Sequence, residues 1–171
     1  GTLSEDFVLS ANIEAVTDAE GLGDITYQWQ KLEDSTWLDI KDAYQSTLTL
    51  SDTEVGYSLR VNIAYTDGKG NAETVFSEAT QLIANVNDIP TGGVWISGSH
   101  IEGSTLTAKN ALVDDDGLGA FSYQWQQSNN ALEWQGIDSA NSPELLLTDP
   151  LVNAHIRYTI SYVDQNGTTE S

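Results

Sequence analysis

The sequence predicts an all-β chain that carries one small sandwich domain twice. Three observations carry that prediction. A long segment recurs at an offset of 96–97 residues, short runs alternate between apolar and polar residues, and turn residues separate those runs every 8–12 positions or so. The repeat is plainest in residues 18–30, DAEGLGDITYQWQ, and residues 114–126, DDDGLGAFSYQWQ, where eight of thirteen positions are identical.

The match extends well beyond that stretch. Trp37-Leu-Asp-Ile40 corresponds to Trp134-Gln-Gly-Ile137, and Leu48-Thr-Leu-Ser-Asp52 to Leu145-Leu-Leu-Thr-Asp149. Leu59-Arg-Val-Asn-Ile-Ala-Tyr-Thr-Asp67 corresponds to Ile156-Arg-Tyr-Thr-Ile-Ser-Tyr-Val-Asp164 at an offset of 97, so one residue is gained between the Trp29 and Trp37 equivalents. Thr26-Tyr-Gln-Trp-Gln30 alternates as a half-buried strand should, and so do Val61, Ile63 and Tyr65. Asp67-Gly-Lys-Gly-Asn71 and Asp164-Gln-Asn-Gly167 are tight-turn sequences joining hairpin strands. No stretch has a helical period. In the second copy the strands are expected at 94–97, 104–111, 121–126, 133–137, 144–148, 155–163 and from 168 onward. The first copy has no counterpart of Gly93-Val-Trp-Ile-Ser-Gly98, and the second none of Val75-Phe-Ser-Glu-Ala-Thr-Gln-Leu-Ile-Ala84. Each copy is therefore expected to lack one terminal strand, through truncation of a longer array or donation in trans.

Seven short strands in roughly 95 residues indicate a β-sandwich. The Trp in Tyr-Gln-Trp falls in the third strand, as the core Trp of an immunoglobulin-type sandwich does. Asp52-Thr-Glu-Val-Gly56 followed by Leu59-Arg-Val61 resembles the turn entering the sixth strand of that fold. The expected fold class is all-β, two tandem immunoglobulin-like β-sandwich domains at 1–88 and 89–171. With no cysteine present, Trp29 and Trp125 must fill the place of the usual inter-sheet disulfide by packing.

Composition narrows the partners. Twenty-six acidic and six basic residues give a net charge of −20, which repels nucleic-acid phosphates and anionic lipid. The hydrophobic fraction of 39% supports a packed core, and no apolar run approaches membrane-spanning length. Neither a nucleic-acid partner nor membrane insertion is expected, and bound cations would relieve the self-repulsion.

The succession of Asp-x-Asp-Gly-Leu-Gly, Tyr-Gln-Trp, Trp-x-x-Ile, Ile/Leu-Arg and Tyr-x-Asp, with Asn85-Val-Asn-Asp-Ile-Pro90 between the copies, resembles the immunoglobulin-like tandem repeats of large bacterial surface and RTX-type adhesins. The resemblance covers essentially the whole chain. It implies an extracellular, cell-surface role in building a stalk or adhesin, with calcium stiffening the array. The linker also resembles the Asn-Asp-x-Pro calcium-bridged junctions of cadherin repeats. The first copy departs from the acidic pattern, with Ala19 and Glu20 where the second has Asp115 and Asp116.

In such a sandwich the second-to-third-strand loop, the sixth-to-seventh-strand loop and the entry to the first strand share one pole. For the second copy these carry Asp114, Asp115 and Asp116, then Asp164 and Asn166, then Asn87 and Asp88. They are expected to meet at the junction between the copies, which the first copy faces with Asp52 and Glu54. Like charges a few ångströms apart repel by about 1–4 kcal/mol at effective dielectrics between water and a protein surface. Ca²⁺ takes six to eight oxygens from carboxylates, amides and backbone, so it suits converging Asp and Asn loops better than Mg²⁺ does. The expected ligands are Asp88 with Asp114 or Asp116, assisted by Asn87 and Asp164. A weaker second site is expected at Asp18, Glu20 and Asp67. The alternative is a solvated acidic turn and a polar linker.

Gly21-Leu-Gly23 and Gly117-Leu-Gly119 are not phosphate loops, since no helix and no lysine follows. They are expected to be turns with the leucine tucked beneath the pole. Trp37 and Trp134 are expected in the core or at a sheet edge, with a sugar-stacking platform as the other reading. His100 and His155 have no counterparts in the first copy, and no nucleophile–base constellation is present, so enzyme activity is not expected. The expected role is a structural spacer joined to neighbouring repeats of the same chain or filament. The alternatives are an adhesive module holding glycan or a host-cell surface, and a filament subunit that self-assembles by strand exchange.

Overall fold

The computed structural model describes residues 1–171 and divides them into two compact units, Gly1–Val86 and Asn87–Ser171. The chain is all-β with antiparallel sheets. Unit 1 holds β1 (Val8–Ser10), β2 (Thr26–Glu33), β3 (Thr36–Asp39), β4 (Thr47–Thr49), β5 (Leu59–Thr66) and β6 (Ala72–Phe76). Unit 2 holds β7 (Val94–Gly98), β8 (Thr105–Asn110), β9 (Ser122–Ser128), β10 (Gln135–Gly136), β11 (Glu144–Leu146), β12 (His155–Val163) and β13 (Thr169–Glu170). Single 3-10 turns lie at Asp52–Glu54 and Asp149–Leu151. Each unit has one four-stranded sheet, in the orders β3-β2-β5-β6 and β10-β9-β12-β13. The second sheet is β1-β4 in unit 1 and β11-β8-β7 in unit 2.

Alternation builds these strands. β5 buries Leu59, Val61, Ile63 and Tyr65 and turns Arg60, Asn62 and Ala64 the other way. β12 does the same with Tyr158, Ile160 and Tyr162. Each core draws on both sheets of its unit: Leu9 of β1 meets Trp29 and Val61 in unit 1, and Leu106 of β8 meets Trp125 and Tyr158 in unit 2. Trp125 is fully buried and Trp29 nearly so, each in the core of its own unit.

Every residue of the repeated Gln-Trp-Gln has the same task in both units. The indole N–H donates to the Gln45 carbonyl at 3.0 Å in unit 1 and to the Ser142 carbonyl at 2.9 Å in unit 2. The preceding Gln28 donates to the carbonyls of Trp29 and Ile40, as Gln124 does to those of Trp125 and Ile137. The following Gln30 accepts from Arg60 Nε at 2.7 Å, as Gln126 does from Arg157.

The Gly-Leu-Gly turns differ from expectation. Leu22 and Leu118 are 41% and 37% exposed, so they are not tucked away. The glycines explain the motif. Gly21 and Gly117 have φ of 92° and 86°, in the region glycine favours. A Cβ on Gly23 would lie 2.2 Å from the Thr66 carbonyl oxygen, and one on Gly119 would lie 1.8 Å from that of Val163. The loop must therefore pass directly against the end of β5 or β12, which sets its acidic residues beside the turn that follows that strand.

The extra residue of the second copy lies after β9. Unit 1 closes its hairpin with Asp34 and Ser35, both at positive φ, a two-residue turn matched to strand twist. Unit 2 uses a wider loop in which Asn130 Oδ1 accepts from the Leu132 and Glu133 amides, and β10 keeps only two residues.

Candidate metal centre

Three segments of unit 2 converge at one end: the entry segment 87–90, the acidic loop after β8 and the turn after β12. Asp114 is 8% exposed, Asp116 3% and Asp164 6%, while Asp115 stays in solvent and Asp88 is half-buried. Asp114 accepts the Tyr162 hydroxyl and, at 3.0 Å, the Asp116 amide. Asp116 is the hub. One oxygen accepts the Asp88 amide and the other the Asn166 side chain, both at 2.8 Å, and its backbone carbonyl accepts the Gln165 amide. Asn87 donates to Glu170 at 2.9 Å. Asp164 Oδ1 accepts the Thr168 amide at 2.8 Å, whereas Asp164 Oδ2 is buried with no hydrogen-bond partner. No basic side chain pairs with Asp114, Asp116 or Asp164.

The corresponding end of unit 1 has the same layout with different chemistry. Asp18 accepts the Tyr65 hydroxyl at 3.0 Å and the Glu20 amide at 2.8 Å, mirroring Asp114. Lys69, where unit 2 has Asn166, places its ammonium 2.9 Å from Glu20. Asn71, where unit 2 has Thr168, donates its side-chain amide to Asp67 Oδ2 at 2.7 Å and its backbone N–H to Oδ1. Unit 1 thus brings Asp18, Glu20 and Asp67 to one end as expected, and supplies its own cation and its own amide there. Two substitutions, Lys69 to Asn166 and Asn71 to Thr168, separate the end where Glu20 has an ammonium and Asp67 an amide from the one that leaves a carboxylate oxygen buried and unpaired.

The titration behaviour follows. The Asn71 side-chain amide, with the Asn71, Lys69 and Gly70 backbone, holds the Asp67 carboxyl below its ordinary value against the opposing effect of burial. A depressed carboxylate stabilises the fold above its ordinary pKa of 3.8 and loses that contribution as pH falls through the folded-state value. Asn71→Ala is therefore expected to move the acid unfolding of unit 1 to higher pH. An unchanged acid midpoint, followed by circular dichroism, would contradict this.

Three tyrosine hydroxyls are pushed up. Burial dominates at Tyr162, with the hydrogen bond and charge of Asp114 and the charges of Glu170 and Asp164 adding to it. Burial also leads at Tyr65, helped by Asp18, and at Tyr158. The Tyr158 hydroxyl donates to the Lys109 carbonyl of β8. Raised hydroxyls stabilise the fold fully below the ordinary value of 10.0, and that contribution is lost as pH rises through the folded-state values. An alkaline titration followed by ultraviolet absorbance should show Tyr65, Tyr158 and Tyr162 ionising late and together with unfolding. Simultaneous ionisation of all seven tyrosines near the ordinary value would contradict this.

Other expected residues have partners within their own units. Glu54 is buried and caps its own 3-10 turn, accepting from the Ser51 amide and hydroxyl. Trp37 and Trp134 are half-buried, each with one ring face under a guanidinium 4.3 Å from the centroid, Arg60 and Arg157 respectively. Arg60 is held between Trp37 and Phe76. The arginine thus takes one face of each ring. Sequence reading missed Tyr162 and Glu170 as parts of the acidic end, whereas Asn166 lies there as expected. The alternation of β12 was the available signal, since it sends Tyr162 to the same side as Tyr158 and Ile160. Compared with protein-family models and with curated proteins, the sequence has no match.

Proposed function

We propose that the chain is a pair of tandem immunoglobulin-like β-sandwich repeats that serves as a structural spacer in an extracellular surface adhesin or filament. In this reading unit 2 binds Ca²⁺ at its acidic end. The observation that carries the metal is Asp164 Oδ2, a carboxylate oxygen buried with no donor, on the turn whose Gln165 amide bonds to the Asp116 carbonyl of the acidic loop, with no basic side chain paired to Asp114, Asp116 or Asp164. A buried charge without a partner is costly. A divalent cation with a preference for oxygen ligands is the counter-charge that suits Asp, Asn and backbone carbonyls. Asp164, Asp116 and Asp114 would hold it, with Asp88 and Asn87 contributing from the entry segment. The ion would bind entry segment, acidic loop and hairpin turn together, so the segment leading into unit 2 becomes part of its rigid body. Lys69 and Asn71 argue against an equivalent ion in unit 1.

The spacer reading rests on the repeat itself, on the resemblance of its motifs to adhesin arrays, and on the acidic composition. The covered faces of Trp37 and Trp134 weigh against the glycan-binding alternative. The test is thermal melting of the chain in calcium and in chelator, beside Asp114→Ala. The expected result is a calcium-dependent rise in the unit 2 transition that the variant lacks. A melt indifferent to both would return the acidic end to a hydrogen-bonded turn and nothing more.

A further inference from the structure

The chain has eleven asparagines, and only one of them precedes a glycine: Asn166-Gly167, in the turn after β12. Every other asparagine is followed by a residue with a side chain. In an Asn-Gly pair the side-chain amide is readily attacked by the backbone nitrogen that follows it, because glycine puts no side chain in the way. The structure leaves this pair open. Asn166 is exposed, and a Cβ added to Gly167 would meet nothing within 4 Å. The Gly167 amide donates to the Asp164 carbonyl at 3.4 Å, a long bond beside the 3.1 Å of its unit 1 counterpart, Gly70 to Asp67. The attacking nitrogen and the carbon it attacks belong to neighbouring residues of one turn, so the reaction is intramolecular.

Two aspartates also precede glycine, Asp67-Gly68 and Asp116-Gly117, and the same ring could close on them. Both carboxylates are buried and held. Asp67 accepts from Lys69 and Asn71, and Asp116 from Asp88 and Asn166. Unit 1 carries Lys69-Gly70 where unit 2 carries Asn166-Gly167, so its turn has no amide to lose. The reactive pair therefore belongs to unit 2 alone, and it sits at the acidic end, where Asn166 Nδ2 donates to Asp116 Oδ1 at 2.8 Å.

We propose that Asn166-Gly167 is a site of self-modification, at which the turn deamidates and so loosens the acidic end of unit 2 with age. The Gly167 peptide nitrogen gives its proton to water and bonds to the side-chain carbonyl carbon of Asn166. The bond from that carbon to the amide nitrogen breaks, and the nitrogen leaves as ammonia with a proton taken from water. Water then opens the resulting succinimide at either of its carbonyls, which leaves aspartate or isoaspartate. The net change consumes one water and releases one ammonia, with no oxidant or reductant. Both products lose the N–H that Asp116 accepts and set a new negative charge beside it. Isoaspartate also adds a carbon to the backbone of a turn that Asp164 and Thr168 close. The reaction needs no metal and does not rest on the calcium reading.

The test incubates the full folded chain with chelator in mildly alkaline buffer and maps it by peptide mass spectrometry and isoaspartyl-specific methylation. Asn166 is expected to convert first, and faster at higher pH because the Gly167 amide must lose its proton. Asn141, Asn153, Asp67 and Asp116 should still be intact when half of Asn166 has reacted. The aged chain is expected to melt earlier in unit 2 and unchanged in unit 1, and Asn166→Asp made directly should shift unit 2 the same way. Asn166→Gln, whose longer side chain closes the ring far less readily, should keep its melting temperature through the incubation. Conversion seen only in the urea-unfolded chain would show that the turn protects Asn166, and would overturn the proposal. So would conversion spread evenly over the asparagines, or an aged chain whose unit 2 melts as the fresh one does.

Discussion

Trp125→Ala is expected to destabilise unit 2 by about 3–5 kcal/mol, the range for removing a fully buried large aromatic side chain. Trp125 is 0% exposed, touches Tyr158 at a ring separation of 5.4 Å and spans the core between the two sheets. The substitution also leaves the Ser142 carbonyl without its indole donor, which adds to the cavity term. That loss is a large share of what a unit of this size holds in total. Urea unfolding should show the unit 2 transition at much lower denaturant, while the unit 1 core around Trp29 stays near its original midpoint. A loss below about 1 kcal/mol would show that the repeated Tyr-Gln-Trp is not the keystone of the fold.

Asp164→Asn is expected to have effects of opposite sign with and without calcium. In chelator it replaces the unpaired buried oxygen with a neutral amide while keeping the oxygen that accepts from Thr168. Unit 2 should then gain about 1 kcal/mol from the relief of repulsion at an effective dielectric near that of a protein surface. In calcium at a hundredfold excess over its dissociation constant, the wild type gains about 2.7 kcal/mol that the variant forgoes. For a unit of this size that corresponds to roughly 10 °C or more. The stability order of the two proteins therefore inverts between the two buffers. A variant that is less stable in both buffers by the same amount would mean that Asp164 serves only its own turn.

The strands, their alternation and the two copies were legible in the sequence, because a period of two and a long internal repeat are written directly in residue types. So was the convergence of the entry segment, the acidic loop and the turn after β12 at one end of unit 2, since loop order in a repeated β unit places them there. Legibility ended where function depends on single polar contacts. Lys69 against Asn166 and Asn71 against Thr168 look like ordinary turn variation, and only the geometry shows that one pair gives Glu20 an ammonium and Asp67 an amide while the other leaves Asp164 Oδ2 without a donor. The glutamines flanking Trp29 and Trp125 carry no signal in the alternating pattern beyond polarity, yet they brace the strand and hold an arginine that lies over a second tryptophan. The leucine of Gly-Leu-Gly was misjudged because an apolar residue between glycines suggests burial, whereas the close approach of Gly23 and Gly119 to a strand carbonyl is what the turn requires.

The most direct measurement is a calorimetric titration of Ca²⁺ into the intact chain, run beside Asp116→Ala. One ion per chain is expected, with affinity in the extracellular-module range of roughly 10⁻⁴–10⁻³ M. Binding should be abolished in the variant, which removes the carboxylate that joins Asp88, Asn166 and the acidic loop. No heat of binding through millimolar calcium, or a titration unchanged by Asp116→Ala, would contradict it.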